Sequence, residues 1–368
     1  MAKIQLKEIC SFSKGCQING DELLENGEYD YLNGGINPSG KWNEYNVSGN
    51  TVTISEGGNS SGYVNYMSNP FWCGAHCYYL YELKCDVKYL YYALKSQQDK
   101  IMKLRSGACM PNIKKSDIGK FEFEYSSDTN VQKQIAANLD KVTHTIDLCN
   151  NILEKLDLLV KARFVEMFGD AVTNPKGWAT KPLLDMGYCK NGMNFHTGDS
   201  GIEMHCLGVG DFKDLSIIDG TDSLPVISLN EAPPEESMLR DGDIVFVRSN
   251  GNKSLVGRCL VVYPRNTPTT YSGFCIRYRL TSSEVNTTYL LRVLKTDSMR
   301  KKMTGRGANI QNLNQQILAT LDIPLPPFDL QNQFAAFVEQ TDKSKSAVKQ
   351  VLEKAETLKK ALMQEYFG

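Results

Sequence analysis

Apolar residues recur at Ile135, Leu139, Val142, Ile146, Cys149, Leu153, Leu156, Val160 and Phe164, alternately four and three apart and ending with a four. The series continues to Met167. This spacing predicts a heptad helix whose apolar seam lies on one face. A second series runs through Phe334, Val338, Thr341, Lys345, Val348, Leu352, Ala355, Leu358 and Leu362. It is polar at Thr341 and Lys345, so its seam is weaker there. Pro324, Pro326 and Pro327 precede the second helix and set its start, because proline cannot continue a helix. Gly169 and Gly368 stand where helices commonly stop.

The two helical segments are copies of each other. Residues 132–169 align without a gap to 331–368 at an offset of 199, with roughly a third of positions identical. Gln132 matches Gln331, Ala136 matches Ala335, and Leu153-Glu154-Lys155 matches Leu352-Glu353-Lys354. The repeat reaches beyond the helices. Tyr89-Leu90 recurs as Tyr289-Leu290, and Gly107-Ala108 with Asn112-Ile113 recurs as Gly307-Ala308 with Asn312-Leu313, at an offset of 200. A long-period match of this kind predicts two equivalent halves, each a globular block followed by a long helix. The gapless copy favours an antiparallel pair of helices within the chain, each spanning roughly 57 Å at about 1.5 Å per residue. The alternative is pairing with a second chain.

Within the blocks, alternating apolar residues predict short strands, such as Asn50–Ser55 and Asp243–Arg248. Helical pattern comes late, around Tyr89–Arg105 and Tyr289–Thr304. The fold class is therefore α+β with curved β-sheets and an internal pseudo-twofold repeat. The loops Glu56-Gly57-Gly58-Asn59-Ser60-Ser61-Gly62 and Arg248-Ser249-Asn250-Gly251-Asn252-Lys253-Ser254 fall at the same place in the two blocks. They are small and polar, and their Arg, Lys and Asn suit the edges of guanine and adenine. The middles of the blocks otherwise barely match, as for two readers of different targets.

Charge bears on what is read. The chain has 368 residues and a net charge of −1, which on average argues against a nucleic-acid protein. Basic charge is concentrated locally, however. Arg292, Lys295, Arg300, Lys301, Lys302 and Arg306 cluster against Asp297, and Lys95, Lys100, Lys103 and Arg105 occupy the matching stretch of the first half. Lys and Arg neutralise phosphates and supply sequence-independent DNA affinity. Eleven cysteines without regular spacing argue against a disulfide framework and for a reducing cytoplasm. No apolar run is long enough for a membrane span, and the N-terminus lacks a signal peptide's apolar stretch.

Motifs for catalysis are wanting. Asn69-Pro70-Phe71-Trp72 is one proline short of an adenine methyltransferase loop and is read as packing. There is no phosphate loop of the Gly-x4-Gly-Lys kind. Cys73-Gly74-Ala75-His76-Cys77 lacks a second ligand pair for zinc. His205 and Cys206 are neighbours on a strand, so they face opposite ways.

The two copies ending LVKARFVEMFG and LKKALMQEYFG, the junction Gly307–Asn314 with Ile323-Pro324-Leu325-Pro326-Pro327, and Gly242–Gly251 together resemble the specificity subunit of type I restriction-modification systems. The resemblance covers essentially the whole chain. The first copy departs from it, with Pro111-Asn112-Ile113 and Phe121-Glu122-Phe123 at the matching junction. The resemblance implies target recognition domains over 1–127 and 171–327, a central spacer helix over 128–170 and a C-terminal one over 328–368. Each domain would read one half of a bipartite, asymmetric double-stranded DNA site. The helices would set the spacing and dock two methyltransferase subunits, with a restriction subunit able to join. The chain itself would be non-catalytic and carry no cofactor, S-adenosylmethionine belonging to the methyltransferase. Candidates for DNA contact are Arg248, Ser249, Asn250, Asn252, Lys253, Arg258, Lys301, Lys302, Arg306, Asn309 and Gln311 in the second block. Those in the first are Asn33, Lys41, Asn59, Ser60, Ser61, Arg105, Lys114 and Lys115. A coiled-coil adaptor binding protein or glycan is the alternative. It leaves the matched basic stretches unexplained.

Overall fold

The structure, a computed structural model, describes residues 2–107, 111–196, 198–213, 215–304 and 312–368. The chain divides into two units, Met1–Leu153 with Ala347–Gly368, and Glu154–Ser346.

In the first unit the chain runs β1 (Ala2–Gln5), α1 (Leu6–Ile9), β2 (Ser11–Lys14), β3 (Tyr29–Leu32), β4 (Gly40–Trp42), β5 (Thr51–Ser55), β6 (Val64–Met67), β7 (Phe71–Cys73), β8 (Cys77–Tyr81), α2 (Val87–Ser96), α3 (Gln98–Met102), α4 (Lys115–Gly119) and β9 (Glu122–Tyr125). It then enters the long helix α5 (Thr129–Phe168). An antiparallel sheet has the order β2-β8-β5-β6, and a smaller one has the order β4-β3-β7, with β3 and β7 parallel. Helix α2 starts where the Asp86 carboxylate accepts the backbone N–H groups of Lys88 and Tyr89. Its Tyr89, Leu90, Ala93 and Leu94 are buried in one cluster with Val52, Ile54, Val64 and Leu80 of the larger sheet. The spacing of these helical residues puts them on one face.

The second unit repeats this plan. It runs β10 (Thr180–Pro182), β11 (Gly187–Asn191), β12 (Ile202–Leu207), β13 (Ile217–Asp219), β14 (Val226–Leu229), β15 (Asp243–Val247), β16 (Cys259–Tyr263), β17 (Thr269–Tyr271), β18 (Cys275–Leu280), α6 (Thr287–Lys295), α7 (Asp297–Thr304), α8 (Gln315–Ala319), β19 (Asp322–Pro324) and the long helix α9 (Phe328–Phe367). The sheets have the orders β11-β18-β15-β16-β13 and β14-β12-β17, with β12 and β17 parallel. Strand for strand these are the two sheets of the first unit, with β13 added at one edge. The duplication therefore extends through the middles of the blocks, where the sequences have diverged beyond recognition. Shared backbone pairing outlasts shared side chains.

Each late helical segment is two helices, not one. Gln97 leaves the helical region between α2 and α3, with φ −103° and ψ 18°. Thr296 is extended between α6 and α7, with ψ 147°. The Thr296 hydroxyl donates to Val293 O at 2.8 Å and accepts Met299 N–H at 3.3 Å, so one side chain ends α6 and begins α7.

The long helices pack antiparallel within each unit. In the second, Phe164 and Phe168 meet Phe334 with ring centroids 5.5 Å apart, while Lys345 reaches Asp157 at 2.6 Å. In the first, Asn138 donates to the Tyr366 hydroxyl at 3.1 Å. Both polar seam positions are satisfied internally: Thr341 bonds Phe337 O at 2.8 Å, and Lys345 pairs with Asp157 and Asp342. The predicted seam needs one correction. Leu358 is 49% exposed, whereas Lys359 and Met363 are partly buried beside Ala355 and Leu362. The seam keeps the register of the first copy, where Val160 and Phe164 stand at the same offset of 199. A lysine can occupy it because its methylene stem is apolar; burial holds the Lys359 ammonium below its usual range.

Candidate nucleic-acid interface

The loops after β5 and β15 are held by the same backbone bonds. Glu56 N–H donates to His76 O at 2.9 Å and Arg248 N–H to Phe274 O at 2.8 Å. In turn Ile113 N–H donates to Glu56 O, and Leu313 N–H to Arg248 O, both at 2.8 Å. The Asn112-Ile113 and Asn312-Leu313 segments thus dock on the same loop in both blocks, which explains why they recur in sequence. Glu56 and Arg248 occupy equivalent positions.

In the second unit the Arg248 guanidinium is half-buried and donates to Gly273 O at 3.3 Å. Ser249 bridges to Asn312. The Asn250 side-chain oxygen accepts Asn252 N–H at 2.8 Å, and that of Asn252 accepts Ser254 N–H at 3.0 Å. Both carboxamides are oriented by their own loop. Lys253 is exposed on the turn that Asn252 caps. Arg258 follows the loop and donates to Lys213 O at 2.9 Å. Arg300 spans from α7 to Ser254 O and Val256 O at 2.9 and 3.2 Å, tying that helix to the loop. Lys301 and Lys302 are exposed on the same helix. The structure therefore gathers the Arg248–Lys253 loop, Arg258, Lys301 and Lys302 around one end of the larger sheet. Arg306, Asn309 and Gln311 lie outside the described residues.

The basic stretch is less available than its sequence suggests. Burial depresses both Arg292 and Lys295 below their usual ranges. Lys295 donates to Ser216 Oγ at 2.7 Å, and the charges of Asp342 and Asp157 partly offset the burial of Arg292. Both side chains are partly buried, so they are less open to phosphates than the exposed Lys301 and Lys302.

In the first unit Asn59 is exposed, and its carbonyl accepts from Arg105 at 3.4 Å. Ser60 and Ser61 correct the expectation from composition. Their hydroxyls turn inward, to Gly34 O at 2.6 Å and Glu56 O at 2.7 Å, and Ser61 is fully buried. The loop closes on itself too tightly to display them. Asn33 accepts His76 N–H at 3.2 Å and donates to Gln17 at 3.1 Å, so it borders the loop. Lys114 and Lys115 are exposed, with the Lys115 ammonium 5.4 Å from the Phe12 ring centre. Lys41 stands apart on β4, 3.9 Å from Asp30.

Sequence reasoning missed the group at the loop's base. The Glu56 carboxylate, 8% exposed, is in ion-pair contact with Lys14. It accepts from the Tyr78 hydroxyl at 3.2 Å and lies 3.6 Å from His76 Nδ1. Burial, and then the Glu56 charge, push the Tyr78 phenol up to about 12. The only sequence signal was positional: Glu56 opens one loop and Arg248 the other.

The remaining motifs are structural. Phe71 is buried and Trp72 Nε1 donates to Cys16 O at 2.8 Å. Cys73 and Cys77 lie in a small core with Leu32 and Val47. His205 bonds Leu224 O at 2.9 Å, and burial pushes the Cys206 thiol up to about 12. Among the described residues, no group of three or more His, Cys, Asp or Glu could hold a metal, and no helix is long and apolar enough to cross a membrane.

A solved specificity subunit of a type I restriction-modification system from Mycoplasma genitalium superimposes on the whole chain with a TM-score of 0.69 and 21% identity, over 96% of its own length. A chain from a structure on assembly and conformational transition of the type I system gives 0.56 and 13%, covering 99% of this chain and 97% of that one. These show the fold. A putative type I specificity subunit of Mycoplasma pneumoniae is 36% identical over 155 residues, 41% of either chain. The match thus spans well under two thirds of that relative. The StySPI specificity subunit of Salmonella potsdam is 27% identical over 345 residues, 86% of this chain and 73% of that one. The family model for the type I restriction modification DNA specificity domain matches residues 1–158 and 235–357, most of the chain. With two blocks on one plan, each followed by a copy of one helix, the chain belongs to the type I restriction modification DNA specificity domain family.

Proposed function

We propose that the blocks at 1–127 and 171–327 are target recognition domains, each reading half of a bipartite, asymmetric DNA site. The helices at 128–170 and 328–368 set the spacing and dock two adenine methyltransferase subunits, and the chain itself catalyses nothing. The observation that carries this is the pair of loops framed by identical backbone bonds but lined by different side chains, Glu56 against Arg248. A shared frame that holds different side chains suits two different half-sites.

Docking of two equivalent subunits has its own support. Leu159 and Leu358 stand at the repeat offset of 199, and they are 48% and 49% exposed. Leu158, 55% exposed, adjoins Leu159, and Val351, 49% exposed, lies two turns before Leu358. Exposed apolar residues grouped on a helix mark a surface that a partner covers.

The test is co-purification with a methyltransferase subunit encoded beside it, followed by mapping of methylated adenines. The expected result is one asymmetric split sequence with an unspecified spacer. Methylation at a continuous site, or none, would refute the reading.

A further inference from the structure

The equivalent loop positions carry opposite charges, Glu56 in the first block and Arg248 in the second, with the same backbone bonds around them. The Glu56 carboxylate cannot itself reach a ligand. Only 11% of its side chain is accessible, and Lys14, Tyr78 and His76 already surround it. Outward of it stand the side chains of Lys14 and His76, 44% and 62% accessible, of which the Lys14 ammonium carries the positive charge. Lys14 ends β2, whose partner β8 carries Tyr78 directly opposite it. The corresponding strand pair in the second block sets Asn191 opposite Ile276, so neither the lysine nor its phenol partner recurs there. The positive charge that Arg248 supplies from the loop is thus supplied in the first block from the neighbouring strand.

We propose that Lys14 is a base-reading residue of the first half-site and that Glu56 is the positioning residue that holds it. The chemistry it fits is a purine edge with two acceptors, the O6 and N7 of guanine, which an ammonium donor satisfies. The buried carboxylate fixes the direction of a side chain that would otherwise sample many rotamers. This inference rests on the DNA-reading function proposed above.

The experiment uses the full chain assembled with its methyltransferase subunit, on duplexes randomised over both half-sites, with methylated products sequenced. The unmodified chain must first select a split site; if it does not, the functional reading fails and this inference with it. Given that selection, Lys14→Met should reduce preference at one position of the first half-site by roughly tenfold. Glu56→Gln should weaken the same position. The double variant should be no worse than Lys14→Met alone, because Glu56 acts through Lys14. Selection in the second half-site and at the other positions of the first should be unchanged throughout, the latter showing that the first block still folds. Unchanged preference in Lys14→Met, or a loss uniform over all sequences, would overturn the proposal while leaving the functional reading intact. So would additive effects of the two substitutions.

Discussion

The Gln331 side-chain oxygen accepts the backbone N–H of Asn286 at 2.9 Å, and its amide donates to Pro326 O at 2.9 Å and Glu284 O at 3.1 Å. Gln132 does the same in the first unit, accepting from Asp86 N–H at 2.8 Å and donating to Ser126 O at 2.7 Å. Asp86 and Asn286 are the residues that cap α2 and α6. One buried glutamine thus ties the start of each long helix to the helix that packs on its block. Beside it, Phe367 meets Tyr89 at 5.5 Å, and Phe168 meets Tyr289 at 4.8 Å. Each block grips the start of one long helix and the end of the other.

Replacing Gln331 by Ala leaves the part-buried Asn286 N–H and the Pro326 and Glu284 carbonyls without this partner, the Pro326 carbonyl in a buried setting. The expected loss is about 3 kcal/mol, from the roughly 1–3 kcal/mol that each unsatisfied buried group costs. It should appear as a lower denaturant midpoint for the second unit. A change below about 0.5 kcal/mol, the scale of an ordinary surface substitution, would show that the bonds do not matter.

Much of this was legible in sequence. A helix that is both periodic and duplicated announces itself twice, and the identical glutamines marked its start. The misplacement of Leu358 in the seam has a plain cause. Reading by polarity prefers a leucine to a lysine, but packing counts the apolar stem of Lys359 and its register with Val160. The Lys14–Glu56 pair was invisible because it joins β2 to a loop far along the chain. Similarly, Ser61 reads as a loop residue until its hydroxyl is seen to close that loop from within.

Arg248→Ala should relax selection at one position of the second half-site, costing about 1–3 kcal/mol there. Selection in the first half-site should be unaffected. Lys301→Ala should weaken binding to every sequence alike and lower the salt slope by about one. Exchange of these two phenotypes would reverse their assignments as base and phosphate contacts.

If Leu159 and Leu358 mark equivalent docking surfaces, a glutamate at either should remove one methyltransferase subunit and at both should remove two. The mass of the purified complex in solution reads this directly. Retention of two subunits by the double variant would place docking elsewhere.

Burial pushes the thiols of Cys206 and Cys275 from 9.0 up to about 12. The folded chain therefore keeps protons that the unfolded chain releases as pH rises past 9.0. Their contribution is complete below pH 9.0 and is lost progressively toward about 12. The denaturant midpoint of the second unit should fall across that window, and replacing both cysteines by alanine should flatten the fall. An unchanged slope in the double variant would assign the alkaline loss to other groups.

The central claim is that the paired helices set the distance between two readers. Deleting residues 149–155 and their equivalents 348–354 removes one heptad from α5 and α9 at matching places. Each helix shortens by about 10 Å, at about 1.5 Å per residue. Mapping of methylated adenines should then return the same two half-sites with a spacer shorter by about three base pairs, at about 3.4 Å each. The same half-sites at an unchanged spacing would contradict the account.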